Sequence, residues 1–283
     1  MRALVVGHGV MGKAHARTLR RLGLAVETVD PDPNAGADWL EVSPLPDADI
    51  ACIATPPAVL ASTAIEAMRA GMDVLIEKPM AIDTDQARSI IRAEIETGRH
   101  ARVGYTERWN PAVSVLREAL PLIGTLRHIT VQRLGRQPRS AGLGPALDLM
   151  SHDIAVLRRL DLWPRFLHAT VDGAHTSATF ALTSGTATLQ ASHIHPTKQR
   201  TLTAVGDDGM LSLDYQRQLL VLHDANGARE IDVSRLEPLV AQWCGFIDGV
   251  GMKTSDALAT LDLALRVQRG GSSSIRPSTC TAQ

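Results

Sequence analysis

The chain is poor in cysteine. Of 283 residues only Cys52, Cys244 and Cys280 carry a thiol, and they lie far apart. With no CxxC pair, neither a disulfide framework nor a cysteine zinc site is indicated, and no metal is expected. Positive charge is not in excess: 29 Lys and Arg stand against 30 Asp and Glu, a net charge of −1. That balance argues against a dedicated nucleic-acid or membrane-surface binder, which needs a basic field. No apolar run approaches the roughly 20 residues that cross a bilayer. Met1 leads at once into the strand-like RALVVG, with no signal-peptide pattern. A cytoplasmic protein with reduced thiols is therefore expected. No internal repeat is visible. What is present is an ordinary globular composition, 45% hydrophobic and 21% charged. The length suits one large domain or two modest ones.

The first third alternates short apolar runs with amphipathic stretches. Strands are expected at Arg2 to Gly7, Leu24 to Val29, Asp49 to Ala54, Asp73 to Ile76 and Arg102 to Tyr105. Helices are expected at Val10 to Leu22, Ala61 to Ala70 and Asp83 to Thr97, with Gly23 and Gly71 as stops and Asp83 as an N-cap. Such alternation makes a parallel sheet wound with helices. After a helix near Pro145 to Leu160 the pattern changes to strands in series. They are Leu167 to Asp172, Ser177 to Leu182, Thr186 to Ile194, Arg200 to Val205, Met210 to Asp214 and Gln218 to His223. Short turns between them imply an antiparallel sheet. Helices near Pro238 to Val250 and Ser255 to Arg269 close the chain.

The turn after the first strand reads Gly7-His8-Gly9-Val10-Met11-Gly12. A GxGxxG alone is a weak signal. Here it follows a strand, opens a helix, and has Asp30 at the end of the second strand, which is the dinucleotide-binding context. Gly7 permits the tight turn, Gly9 lets backbone approach a pyrophosphate, and Gly12 lets helix and strand pack closely. The helix N-terminus then offers free N–H groups to the anion. Asp30 would accept hydrogen bonds from the adenosine ribose and repel a 2′-phosphate, so NAD is favoured over NADP. Thr55 and Pro56 lie at the carboxyl end of another strand, the sheet edge where ligands bind in open α/β folds. His8 and His15 flank the turn and read as structural.

Glu77-Lys78-Pro79 ends the strand DVLI and would aim a lysine into the same crevice. Asp148 and His152 are four residues apart, which places them on one face of the expected helix. Histidine titrates near neutral pH and suits transfer of a hydroxyl proton. An aspartate there could orient it or bind another hydroxyl. His193 and His195 are two apart on one expected strand, a weak metal pattern without carboxylate partners nearby.

Taken together, GHGVMGKAH, EKP and DLMSHD resemble the Gfo/Idh/MocA family, nicotinamide-dependent oxidoreductases of sugars, sugar nucleotides and cyclitols. SGTATLQASHIHP, TLTAVGDDGMLSLDY and FIDGV are also similar to it, so the resemblance covers nearly the whole chain. It implies an N-terminal Rossmann doubly wound parallel sheet, residues 1–121. A C-terminal α+β domain with a mainly antiparallel open sheet, residues 122–269, would follow, and then a disordered tail, residues 270–283. It implies NAD as cofactor, held by Gly7, Gly9, Val10, Met11, Gly12, Asp30, Thr55, Pro56, Glu77 and Lys78. It places catalysis at Lys78, Asp148 and His152, with a Lys78–Pro79 bond that is often cis. Apolar Ala187, Leu189 and Ala191 alternate with polar Thr188, Gln190 and Ser192, leaving one sheet face free. The family pairs such faces between subunits, so a homodimer or homotetramer is expected.

Within the family, TERWNP and the arginines Arg133, Arg136 and Arg139 are similar to the branch acting on UDP-N-acetylglucosamine. Arginine forks suit phosphate oxygens. Tyr105, Arg108, Arg133, Arg136 and Arg139 therefore join Lys78, Asp148 and His152 as substrate-binding candidates, the arginines on a basic loop after a strand. The reading is hydride transfer between NAD and a ring hydroxyl or ketone of a nucleotide sugar or sugar phosphate. The alternatives are a cyclitol dehydrogenase, an imine or carbonyl reductase, and a catalytically silent NAD-sensing regulator.

Overall fold

The computed structural model describes residues 1–136 and 142–272. The chain runs β1 (Arg2–Val6), α1 (Val10–Arg21), β2 (Ala25–Val29), β3 (Ile50–Ile53), α2 (Pro57–Arg69), β4 (Asp73–Glu77), α3 (Thr84–Thr97), β5 (Ala101–Gly104), α4 (Pro111–Ala119), β6 (Leu126–Arg136) and α5 (Ser151–Arg159). Then follow β7 (Arg165–Asp172), β8 (His175–Ala181), β9 (Thr186–Ser192), β10 (Ile194–Gly206), β11 (Gly209–Asp214), β12 (Leu219–Asp224) and β13 (Gly227–Ile231). The last elements are α6 (Pro238–Ile247), β14 (Met252–Lys253), α7 (Thr254–Arg269) and β15 (Gly271–Ser272).

Two units are distinguished. Of the described residues the first holds 1–115, 142–143 and 233–262, and the second 116–136, 144–232 and 263–272. The division is thus not contiguous in sequence: the segment holding α6 and β14 belongs with the N-terminal residues. A pattern read along the chain finds where helices lie but not which sheet they cover.

The first unit is built on a six-stranded sheet of order β14-β5-β4-β3-β1-β2. Its five long strands are parallel, β1 pairing with both β2 and β3, and only the short β14 is antiparallel, on β5. Four of the five residues of β1 are buried, as a strand covered on both faces requires. Helix α1 buries Gly12, His15, Ala16 and Leu19 on one face and ends with Arg20 and Arg21, which suit the negative end of its dipole. Asp83 caps α3 as its sequence suggests, its carboxylate accepting from the Gln86 N–H at 2.8 Å. The core joins Val5, Leu19, Cys52 and Leu75 to Trp243 and Phe246 of α6.

The second unit carries a nine-stranded sheet of order β13-β12-β11-β10-β6-β9-β8-β7-β15. It is antiparallel apart from the β6–β9 pair. Ala187, Leu189 and Ala191 of β9 are fully buried and Thr188 and Gln190 half-buried, the expected alternation, but it ends at Ser192, which is buried too.

Three local expectations change. The run Thr186 to Ile194 is two strands, because the chain breaks at His193 and restarts as β10. The stretch near Pro145 to Leu160 opens with a π turn, Ala146–Met150, before α5. Gly271 and Ser272, read as tail, pair with Ala169 and His168 of β7.

Candidate functional site

In the first unit, β1 ends at Val6 and the chain turns through Gly7, whose φ of +92° only glycine adopts readily. A Cβ on Gly7 would meet Ala54 O at 2.5 Å, and one on Gly12 would collide with Gly7 O. Gly9 is different: nothing lies within 4 Å of the position its Cβ would take. Two glycines therefore close the turn against the sheet, and the third leaves its outer side open to a ligand. Met11 and Val10 are exposed at the start of α1. Thr55 Oγ1 is buried with no hydrogen-bond partner among the described residues, at the strand end that abuts Gly7. A cradle free of side chains, bare helical N–H groups and an orphaned hydroxyl fit a bound dinucleotide. Pro56 is exposed and precedes α2.

Asp30 stands where β2 ends, and its carboxylate is tied into the turn. Oδ2 accepts from the His8 N–H at 2.7 Å and Oδ1 from the Asp32 N–H at 2.9 Å. Each carboxylate oxygen can accept a further bond. Beside it an open groove of about 410 Å³ is lined by His8, Val10, Lys13, Arg17 and Arg20.

Glu77, the residue before Lys78, ends β4. It is buried, and both oxygens are engaged inward: Oε1 accepts from His15 Nε2–H at 2.8 Å and Oε2 from the Lys78 N–H at 3.2 Å. The indole N–H of Trp243 donates to His15 Nδ1 at 2.9 Å. An indole nitrogen can only donate, so Nδ1 accepts and the imidazole proton sits on Nε2. Burial disfavours an imidazolium here, while Cys52 and Glu77 favour one and would raise the ring to about 10, Cys52 only as a thiolate. Burial also pushes the Cys52 thiol up, which keeps it uncharged at neutral pH. The indole hydrogen decides for the neutral ring. Lys78 is half-buried at the carboxyl end of β4, and the Lys78–Pro79 bond is cis, as the resemblance implied. Tyr105 is buried in the core, and Arg108 is half-buried in the short turn Thr106–Trp109.

The second unit holds Asp148 in the π turn and His152 in the first turn of α5. π turns inside helices recur at functional positions. Asp148 Oδ2 is 3.0 Å from His193 Nε2, and both side chains are largely buried. His193 is thus a partner of Asp148 and no longer half of a pair with His195, whose Nδ1–H donates to Thr197 O at 2.8 Å. A separation of 45 residues hides that contact from any local pattern.

Arg133 is not on a basic loop. It lies within β6, buried, its guanidinium donating to both oxygens of Asp153 at 2.7–3.0 Å and stacking on the Tyr215 ring at 5.2 Å. A fork so occupied is a core ion pair, not a free phosphate receptor. Arg136 ends β6 and is exposed, and Arg139 lies outside the described residues. No helix among the described residues is long and apolar enough to cross a membrane.

Comparison with known proteins agrees with this geometry. Residues 1–105 match the model of the oxidoreductase family with an NAD-binding Rossmann fold, Gfo/Idh/MocA. UDP-N-acetylglucosamine 3-dehydrogenase of Acidithiobacillus ferrooxidans is 27% identical over 88% of each chain. A solved structure of that enzyme superimposes with a TM-score of 0.85 at 25% identity, covering 95% of this chain and 97% of the other. Inositol 2-dehydrogenase 4 of Saccharopolyspora erythraea is 30% identical over 55% of this chain and 51% of its own. The glycine turn, the EKP lysine and this likeness agree: residues 1–105 are similar to the NAD-binding Rossmann domain of the Gfo/Idh/MocA oxidoreductases.

Proposed function

We propose that the protein transfers hydride between NAD and a ring hydroxyl or ketone of a nucleotide sugar, UDP-N-acetylglucosamine or a close analogue. The observation that carries this reading is a likeness to UDP-N-acetylglucosamine 3-dehydrogenase spanning 88% of both chains; the roles of Lys78, Asp148 and His152 follow from the resemblance of their motifs. When bound, NAD supplies the hydride acceptor. His152 takes the hydroxyl proton in the oxidative direction. The Lys78 ammonium hydrogen-bonds the reacting oxygen and stabilises its partial negative charge. Asp148, fixed by His193, orients substrate or histidine. Gly9 and the first turn of α1 receive the pyrophosphate, and Asp30 the ribose. Arg108 and Arg136 remain candidates for a substrate phosphate, and Arg139 joins them from the sequence. The domain that follows residue 121, a cytoplasmic location and pairing of the second sheet between subunits belong to the same reading.

A cyclitol dehydrogenase is the second reading, favoured by the higher identity, though over a shorter span, to inositol 2-dehydrogenase 4. The test follows NADH absorbance with UDP-N-acetylglucosamine, N-acetylglucosamine 1-phosphate, N-acetylglucosamine and myo-inositol. The nucleotide sugar should give the highest kcat/KM. If myo-inositol is best and Arg108 and Arg136 variants use it normally, the nucleotide-sugar reading falls and the dehydrogenase stands. If none reduces NAD, a silent NAD-binding protein replaces both.

A further inference from the structure

We propose that His15, its tautomer locked by Trp243, is the positioning residue for Lys78 and acts through the Glu77 carboxylate. The proposal rests on the reading of Lys78 as the group beside the reacting oxygen. Three hydrogen bonds run in series within the first unit: Trp243 Nε1–H to His15 Nδ1 at 2.9 Å, His15 Nε2–H to Glu77 Oε1 at 2.8 Å, and Lys78 N–H to Glu77 Oε2 at 3.2 Å. His15 and Trp243 are fully buried and Glu77 is 7% exposed.

A polar chain of this kind is costly in an apolar core, where three hydrophobic side chains would fill the same space at no desolvation cost. Trp243 sits in an apolar cluster with Val5, Leu19, Leu75 and Phe246, and the buried Gln242 amide lies near the Glu77 end, by Gly104. Room is made for the polar chain, since Gly104 faces the carboxylate and a Cβ there would sit 3.0 Å from Glu77 Oε1. The chain has one direction. Trp243 can only donate, so His15 must accept on Nδ1 and donate on Nε2, and Glu77 must accept at both ends. The far end is the backbone of Lys78. Residue 15 belongs to the GHGVMGKAH motif, so the helix that receives the cofactor also fixes the lysine strand. The mechanism above gives His15 and Trp243 no other work.

Neutrality of the ring is part of the device. The titratable groups facing it are Glu77 on β4 and Cys52 on β3, and the thiol is uncharged. A neutral His15 leaves the carboxylate charge of Glu77 uncancelled beside Lys78. Without the indole hydrogen, Nδ1 becomes free to take a proton, and an imidazolium would cancel that charge.

The experiment uses the full chain and four variants: Trp243→Phe, which keeps an aromatic ring, His15→Gln, which retains a donor and an acceptor, His15→Leu and Lys78→Ala. Nitrogen NMR of histidine-labelled protein reads the tautomer. The His15 signal, identified by its loss in His15→Gln, should be that of a neutral Nε2–H ring that does not titrate between about pH 6 and 9, a window around the ordinary histidine value. In Trp243→Phe it should titrate there or be protonated throughout. Hydrogen exchange at the Lys78 amide should speed up in His15→Leu and recover in His15→Gln. With UDP-N-acetylglucosamine and NAD, Trp243→Phe should lose roughly two- to tenfold in kcat, the size of one hydrogen bond. Its pH–rate profile should gain a step absent from the wild type, with KM little changed. A titrating wild-type His15, an unaltered pH–rate profile in folded Trp243→Phe, or Lys78 exchange in folded His15→Leu equal to that of the wild type overturns the proposal. Should His15→Leu not fold, the His15 tautomer and the pH–rate profile of Trp243→Phe still decide. Normal turnover by Lys78→Ala strikes instead at the reading of Lys78. If no substrate is turned over, the tautomer and amide exchange alone decide on the relay.

Discussion

His193 Nε2 lies 3.0 Å from Asp148 Oδ2, with side-chain exposures of 9% and 14%. The pair ties the break between β9 and β10 to the π turn that leads into α5. A carboxylate held this way has one fixed orientation, which a residue on a free helix face would not. Asp148→Asn and His193→Gln should therefore be non-additive. Residues in direct contact couple by about 0.5–3 kcal/mol. Urea unfolding of the two single variants and the double variant measures the coupling; strictly additive losses would show that the contact contributes nothing.

His152→Ala should lower kcat by about two to four powers of ten, the usual contribution of a positioned acid or base. NAD affinity should stay as it was, because the glycine turn and Asp30 belong to the other unit. Steady-state kinetics and a fluorescence titration with NAD separate the two effects. Near-normal turnover at neutral pH would remove His152 from its role.

The glycine turn, the parallel sheet and the EKP strand end could be read from the sequence because each is local. A strand, a turn and a helix start occupy one stretch of chain, and Gly12 is required by the Gly7 backbone five residues before it. The partners of the site side chains could not be read so. Asp148 meets His193 across 45 residues, and His15 meets Trp243 across 228. Arg133 misled for a related reason: an arginine near others suggests a surface loop, and only the fold reveals Asp153 opposite it. A Pro-led run with helical spacing does not announce a π turn, since the two share nearly the same apolar pattern.

The Arg133–Asp153 pair supports the second unit and should not touch substrate affinity. The two side chains are 4% and 1% exposed. Arg133→Met leaves a buried carboxylate without its fork, a loss of about 3–5 kcal/mol for a buried pair broken on one side. Replacing both partners, Arg133→Met with Asp153→Leu, should recover much of that. Urea midpoints of single and double variants test this. A stable Arg133→Met with a raised KM for a nucleotide sugar would return Arg133 to substrate binding.

Cofactor choice turns on Asp30 against the cations next to it. A 2′-phosphate at the ribose end would meet the Asp30 carboxylate, and like charges repel. Lys13, Arg17 and Arg20 line the groove beside His8 and pull the other way, but Arg20 lies 3.9 Å from the Asp38 carboxylate, and their exposed charges are screened by salt. The nearer, tethered carboxylate should win, so NAD binds more tightly than NADP. Asp30→Ala should narrow the gap but also weaken NAD itself, because the His8 and Asp32 N–H groups lose their acceptor. Asp30→Asn keeps an acceptor oxygen without the charge. It should therefore hold NAD better than Asp30→Ala does while admitting NADP. Titration of both cofactors at low and high salt checks this. Lys13→Ala and Arg17→Ala should then lower only NADP affinity, and most at low salt. Equal or tighter NADP binding by the wild type would mean that the basic groove, not Asp30, sets the preference.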